Sequence, residues 1–239
     1  MEKDLIIKLV MEGIRRTIAH YGMWFAETEH QLGLNNALEV EKEAGDNSFI
    51  FQIKRLSKLL GFKIDDNGIP EFLKNKTEDE LKKILTGISA NWLANDGVWF
   101  QAVESKFGMN DAKRCNDSCW TKFSPYEAAR IKNIFGLPEY PGISGLKTAL
   151  QYRMYSFINK QSIEDIDEKT IIFKMNDCRV QSTRKRKCLP DYPCKTAGLV
   201  EYTYFAHAID TRIETECICC PPDEHPEEYF CAWKFSLKT

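Results

Sequence analysis

The sequence has little excess charge of either sign, few histidines and no long apolar run. Lys and Arg number 33 against 35 Asp and Glu, a net charge of −2. That balance gives no whole-molecule attraction to a polyanion, so nucleic acid is not expected as a partner. No apolar stretch approaches the length that spans a bilayer, so no membrane partner is expected either. The four histidines include no His-x-x-x-His pair, and there is neither a Gly-rich phosphate loop nor a dinucleotide fingerprint.

The composition is that of a globular protein. Hydrophobic residues at 43% and charged residues at 28% exclude wholesale disorder, and 239 residues suffice for one large domain or two small ones. The opening "MEKDLIIKLVMEGIRRTIAHYG" interrupts its apolar residues with charge, as an amphipathic helix does and a signal peptide does not. The expected compartment is therefore the cytoplasm. Thiols stay reduced there, and nine cysteines is an odd count. Metal binding, catalysis or burial accounts for them better than a disulfide scaffold.

Shifting the chain over itself by 75 positions, the offset from Gly22 to Gly97, aligns residues 20–62 with 95–137 without a gap. Identities include Gly22/Gly97, Trp24/Trp99, Phe25/Phe100, Glu29/Glu104, Gly33/Gly108, Ala37/Ala112 and Arg55/Arg130. Each copy, over about 3–62 and 78–137, reads as a first apolar-periodic helix, a "GxWF" helix, a "G(L/M)N" break and two further helices. The two copies make a helical region over 1–140. They could pack as one bundle, or one could lie on the C-terminal domain while the other makes a homodimer contact.

Beyond Gly145 the pattern changes to a helix at "LKTALQYRMYSFINKQ", a hairpin at "SIEDIDEKTIIFKMNDCRV", a helix started by Pro193, and alternating strands at "RIETECICC" and "YFCAWKFSL". The fold class is α+β: a duplicated all-helical N-terminal region, then an antiparallel-sheet domain over 141–239.

That domain gathers the cysteines. Cys217 and Cys220 form a C-x2-C pair, Cys231 follows on the partner strand and Cys194 begins the preceding helix, a set that could close a tetrahedral zinc shell. Cys219, Glu214, Glu216, His225 and Cys178 are alternative ligands within reach. Burial alone is the competing account of each thiol.

Other groups bear on a ligand. Trp24, Trp99, Phe25 and Phe100 read most simply as core, while Asp96, Trp99 and Glu104 could line a pocket. Arg130, recurring as Arg55, suits a structural ion pair with Glu104 or a carboxylate clamp. "CRVQSTRKRKCLPDYPC" concentrates Arg179, Arg184, Lys185, Arg186 and Lys187 on an expected strand end and loop; Arg179 and Arg184, with Lys195 nearby, would serve a small anionic ligand. Cys178 and Cys188 lie in the same positive stretch, which favours a nucleophilic thiolate at Cys178, with His207 as the nearby candidate base.

The run "CKTAGLVEYTYFAHAIDTRIETEC" followed by "CAWKF" resembles the end of the 4-vinyl-reductase domain, a small-molecule-binding α+β module. The resemblance covers residues 145–237 and implies a zinc ion near the ligand pocket, held by Cys194, Glu214, Cys217 and Cys231. Cys220 is an extra thiol that could displace Glu214, and the loop between the last two cysteines is longer than the family's short turn. Across nearly the whole chain, "DGVWFQAVESKFGM", "NDCRVQ" and "CPPDEHP" resemble an uncharacterised family of bacterial and archaeal cytosolic proteins. A similar Cys-rich ending occurs in the thiazoline-carboxylate hydrolase family.

The resulting expectation is a cytoplasmic small-molecule-binding or sensing protein with a structural zinc on Cys194, Cys217, Cys220 and Cys231. The alternatives are a small-carboxylate hydrolase using Cys178 or a metal-bound water, and a thiol redox or metal-handling protein.

Overall fold

The computed structural model of the chain describes residues 2–186, 188 and 191–238. It opens with two long helices, α1 (Lys3–Leu32) and α2 (Leu34–Leu60), then a short α3 (Glu71–Lys74). The second copy gives α4 (Glu78–Phe107) and α5 (Met109–Ile134). Each copy is therefore two helices and not the four expected. An interior glycine costs a helix only about 1 kcal/mol, so Gly22 and Gly97 are carried within α1 and α4. The chain reverses instead at Gly33 and Gly108, whose φ values of 83° and 89° favour a residue without Cβ. The start of α4 is fixed by a capping box, in which the Thr77 side chain and Glu80 each bond the other's backbone N–H.

The chain divides into two compact units, Met1–Asn75 and Lys76–Thr239. The boundary expected from the sequence lies at 140, after the second copy. By contacts, the second copy belongs with the sheet, because α5 packs along α8 (Lys195–Ile209). In the first unit α1 buries no residue, and α2 buries Ala37, Glu41, Gly45 and Ser57.

The second unit carries the α+β core. After α6 (Gly142–Gln151) and a 3-10 turn at Met154–Phe157 come β1 (Lys160–Asp167), β2 (Thr170–Asp177), α7 (Arg179–Arg186), α8, β3 (Ile213–Cys219) and β4 (Cys231–Leu237). The strands form one antiparallel sheet in the order β1-β2-β4-β3. Alternation sends Ile171, Phe173 and Met175 of β2 and Cys231, Trp233 and Phe235 of β4 to a single buried face. Leu146 and Leu150 of α6 and Tyr202, Phe205 and Ile209 of α8 complete that core. The close approach of α8 to β4 requires Gly198: a Cβ there would lie 2.7 Å from the Trp233 ring.

At the far end of α8, buried Asp210 accepts from the Gly142 backbone N–H at 2.9 Å and from Arg212 Nη2 at 2.8 Å, tying α6 to the sheet. Those bonds, Arg212 first, hold its carboxyl down to about 2. Among the described residues no helix is long and apolar enough to cross a membrane.

Candidate functional site

Three elements bring thiols together at the N-terminal end of α8. Cys194 is the N-cap residue of the helix, Cys220 follows β3 and Cys231 begins β4. Cys194 Sγ and Cys220 Sγ are 3.6 Å apart, and Cys220 also interacts electrostatically with Cys231. The hydrogen bond from Cys220 lowers the Cys194 pKa, while its two thiol neighbours, Cys194 first, hold the proton on Cys220. A Gln181 side-chain N–H adds a donor to Cys194 Sγ at 3.4 Å.

The C-x2-C spacing reaches this cluster through a backbone irregularity. Residues three apart on a regular strand face opposite ways, but the β3–β4 register shifts between Cys217 and Cys219. Cys220 thereby rejoins the core, 2% exposed. Cys217 pairs with Trp233 and is only half-buried; its thiol is pushed up to about 11, chiefly by burial. Cys178 instead lies within the electrostatic reach of both Cys194 and Cys231. Glu214 is removed from the candidate ligands: an odd step from Cys217 puts it on the outer face, exposed, where Lys238 Nζ pairs with it at 2.5 Å. Glu216 is likewise exposed and pairs with Lys234 at 3.3 Å. His225 Nε2 is 3.0 Å from Asp191 Oδ2 and its Nδ1 is 2.8 Å from the Pro226 carbonyl, so both ring nitrogens are engaged by loops; Asp191 leads in raising its pKa. Among the described residues no three His, Cys, Asp or Glu side chains form a ready-made metal cage.

The nucleophile expected at Cys178 is not activated. Burial pushes its thiol up to about 12, so it is protonated at neutral pH and a poor attacking group. His207 is exposed on α8 and Cys178 is half-buried at the end of β2. The stretch expected as strand end and loop is the helix α7, in which Arg179 is exposed and Arg184 half-buried. Lys187 lies outside the described residues. Lys195 Nζ is taken up by Asp223 at 2.7 Å, docking the 221–223 turn on α8.

A separate cavity of ≈ 450 Å³ lies between α4 and α5. Its floor is aromatic: Trp92 stacks on Phe123 at 5.5 Å and meets Trp120 edge-on at 5.9 Å. Asp96 stands on the wall, accepting a hydrogen bond from Asn116 Nδ2 at 3.3 Å, and burial raises its pKa. Trp99 also lines the cavity but is 68% exposed, and Trp24 of the first copy is 65% exposed, so neither is the core residue expected. Arg130, Arg179, Arg184 and Lys195 do not line this cavity, nor does Glu104.

The cavity and the thiols share a wall. Phe100, which lines the cavity, meets Tyr192 edge-on at 5.4 Å, and Lys113 of α5 lies 5.0 Å over the same ring. Gln181 then clamps the Tyr192 backbone in both directions at 2.8 Å while reaching Cys194, two residues on.

Beneath lies a charged group that the sequence reading missed. Arg153, 2% exposed, donates through Nε to Glu127 of α5 at 2.8 Å and brings Nη2 to 2.7 Å from Glu201 of α8. Its guanidinium lies 4.5 Å over the Phe205 ring. Burial pushes the Glu201 carboxyl up to about 7 despite the arginine beside it. No spacing rule marks an arginine inside "YRMYSF"; only the packing of α5 against α8 reveals its partners.

The chain belongs to a family of unknown function, DUF6125, whose model matches residues 1–77 and 74–237. No curated protein and no solved structure matches the chain.

Proposed function

We propose that the chain is a small-molecule-binding or sensing module in which a zinc ion, held by cysteine thiolates, steadies one wall of the α4–α5 cavity. One observation carries this reading: Tyr192 packs on cavity-lining Phe100 while Cys194, two residues later, lies against Cys220. A ligand that moved α4 or α5 would press on the segment that bears a thiol ligand.

One thiol pair has the spacing of zinc ligands. Two thiolates bound tetrahedrally at ~2.3 Å stand about 3.8 Å apart, close to the 3.6 Å between Cys194 and Cys220. Cys194, Cys220 and Cys231 supply three ligands. Cys178 would supply the fourth, ahead of Cys217, because it lies within electrostatic reach of both Cys194 and Cys231. Binding would deprotonate these thiols, and the Gln181 N–H would steady the Cys194 sulfur. A closed four-thiolate shell supplies stability and position. The aromatic cavity supplies recognition.

The test is a metal count on reduced, anaerobically purified chain, joined to thiol titration. About one zinc per chain is expected, retained after Cys115→Ser and lost after Cys220→Ser and Cys231→Ser. Chelation should release Cys178, Cys194, Cys220 and Cys231 to thiol reagent together. A metal-free chain, with thiol reactivity unchanged by chelator, would overturn the zinc assignment.

A further inference from the structure

A second cavity, of ≈ 290 Å³, lies between α1 and α2. All ten residues that line it stand 75 positions before a residue lining the α4–α5 cavity. Trp24 and Phe25 answer to Trp99 and Phe100, and Ala37 answers to Ala112. The correspondence includes the polar pair across each cavity. Tyr21 donates its hydroxyl to Glu41 Oε1 at 2.6 Å, and at the matching positions Asn116 Nδ2 donates to Asp96 Oδ1 at 3.3 Å.

The acid has changed helix between the copies. Glu41 is on α2, whereas Asp96 is on α4, the counterpart of α1. Each cavity nevertheless presents one carboxylate, bonded to a neutral donor and set among aromatic rings. Among the described residues no Lys, Arg or His lines either cavity. A structural need for a particular ion pair would fix the acid at one position. A need for one negative charge facing aromatic rings is met from either helix. Ring faces and a carboxylate together attract an organic ammonium group with an apolar body, and they disfavour an anion.

We infer that the chain carries two homologous binding sites, one in each helical hairpin, and that both take small organic cations of the arylalkylammonium type. The α4–α5 site rests on the cavity reading above; the α1–α2 site is new. The α4–α5 site, with Trp92, Trp120 and Phe123 where the other has Thr17 (off its wall), Gly45 and Ser48, takes the larger apolar group.

Isothermal titration of the full reduced chain with 2-phenylethylammonium, and with the neutral isostere 2-phenylethanol, tests this. The cation should fill two sites per chain and bind on the order of tenfold more tightly than the alcohol. Asp96→Asn and Glu41→Gln should each remove one site. Trp24→Leu, which keeps apolar bulk but removes a ring, should weaken the α1–α2 site alone and so serves if Glu41→Gln disturbs the hairpin. Equal affinity for the alcohol would overturn the cation assignment and leave the cavities as binding sites. A single site, untouched by both Glu41→Gln and Trp24→Leu, would overturn the α1–α2 assignment. No binding of either probe would overturn the inference for both cavities.

Discussion

The α1–α2 and α4–α5 hairpins carry the same repeated stretch, turn at equivalent glycines and enclose matching cavities, yet α5 packs along α8 in its unit whereas α1 and α2 bury few residues in theirs. Three matched positions account for this. Ile131, 6% exposed against the sheet unit, corresponds to Leu56, 38% exposed. Trp120, which meets Trp92 edge-on in the aromatic floor, corresponds to Gly45. Glu127, which binds Arg153, corresponds to Gln52, whose Nε2 donates to Ser48 of its own helix at 3.0 Å. The repeated pattern sets helix, turn and cavity. Packing within each unit then differs through a few side chains, with Trp120 on the cavity side and Glu127 and Ile131 facing the rest of the Lys76–Thr239 unit.

The comparison can be broken most severely at Arg153. Arg153→Leu leaves Glu127 and Glu201 buried without their cation, and the Lys76–Thr239 unit should lose about 3–5 kcal/mol in urea unfolding. A loss under about 1 kcal/mol would show that the charged group does not hold α5 to α8. Gly198→Ala should cost roughly 1–3 kcal/mol, since its Cβ meets the Trp233 ring at 2.7 Å where α8 and β4 are already in contact. An unchanged midpoint would mean that the α8–β4 contact yields easily.

Glu201 sharpens the comparison through pH. Its folded pKa of about 7 lies above the ordinary 4.5, so the folded state binds its proton more tightly than the unfolded state. The stability this lends is complete below the ordinary value and is lost as pH rises through about 7. The stability gap between wild type and Glu201→Gln should therefore move in favour of Gln by roughly 1–3 kcal/mol from pH 4.5 to 7.5. A gap independent of pH would place that titration elsewhere. The mildest expected difference is in amide exchange: α1, with no buried residue, should exchange faster than α5, which buries seven. Equal protection would show that α1 is covered in solution.

Much of this was legible in residues alone. The repeat, the strands around Phe173 and Trp233, and α8 after Pro193 follow from periodicity and punctuation. The helix count failed at Gly22 and Gly97 because glycine weakens a long helix without ending it. α7 was read as a loop because its charges hide the helical phase; Gln181 is its one buried residue. The resemblance to the 4-vinyl-reductase domain groups Glu214 with Cys217, whereas strand alternation separates them and a register shift brings in Cys220. Asp96 was found because it begins a repeated aromatic motif. Arg153 was not found, since its partners Glu127 and Glu201 are distant in the chain and carry no spacing signal.

The proposed zinc site and the α4–α5 cavity are linked through Tyr192 and Gln181. The indole N–H resonances of the full reduced chain, recorded with zinc added and again after chelation, test that proposed link. Removing the metal should move Trp233, beside Cys217 in the sheet, and the cavity indoles Trp92, Trp99 and Trp120, while Trp24 stays in place. Cavity indoles that remain as still as Trp24 while Trp233 moves, or a spectrum indifferent to chelator, would contradict it.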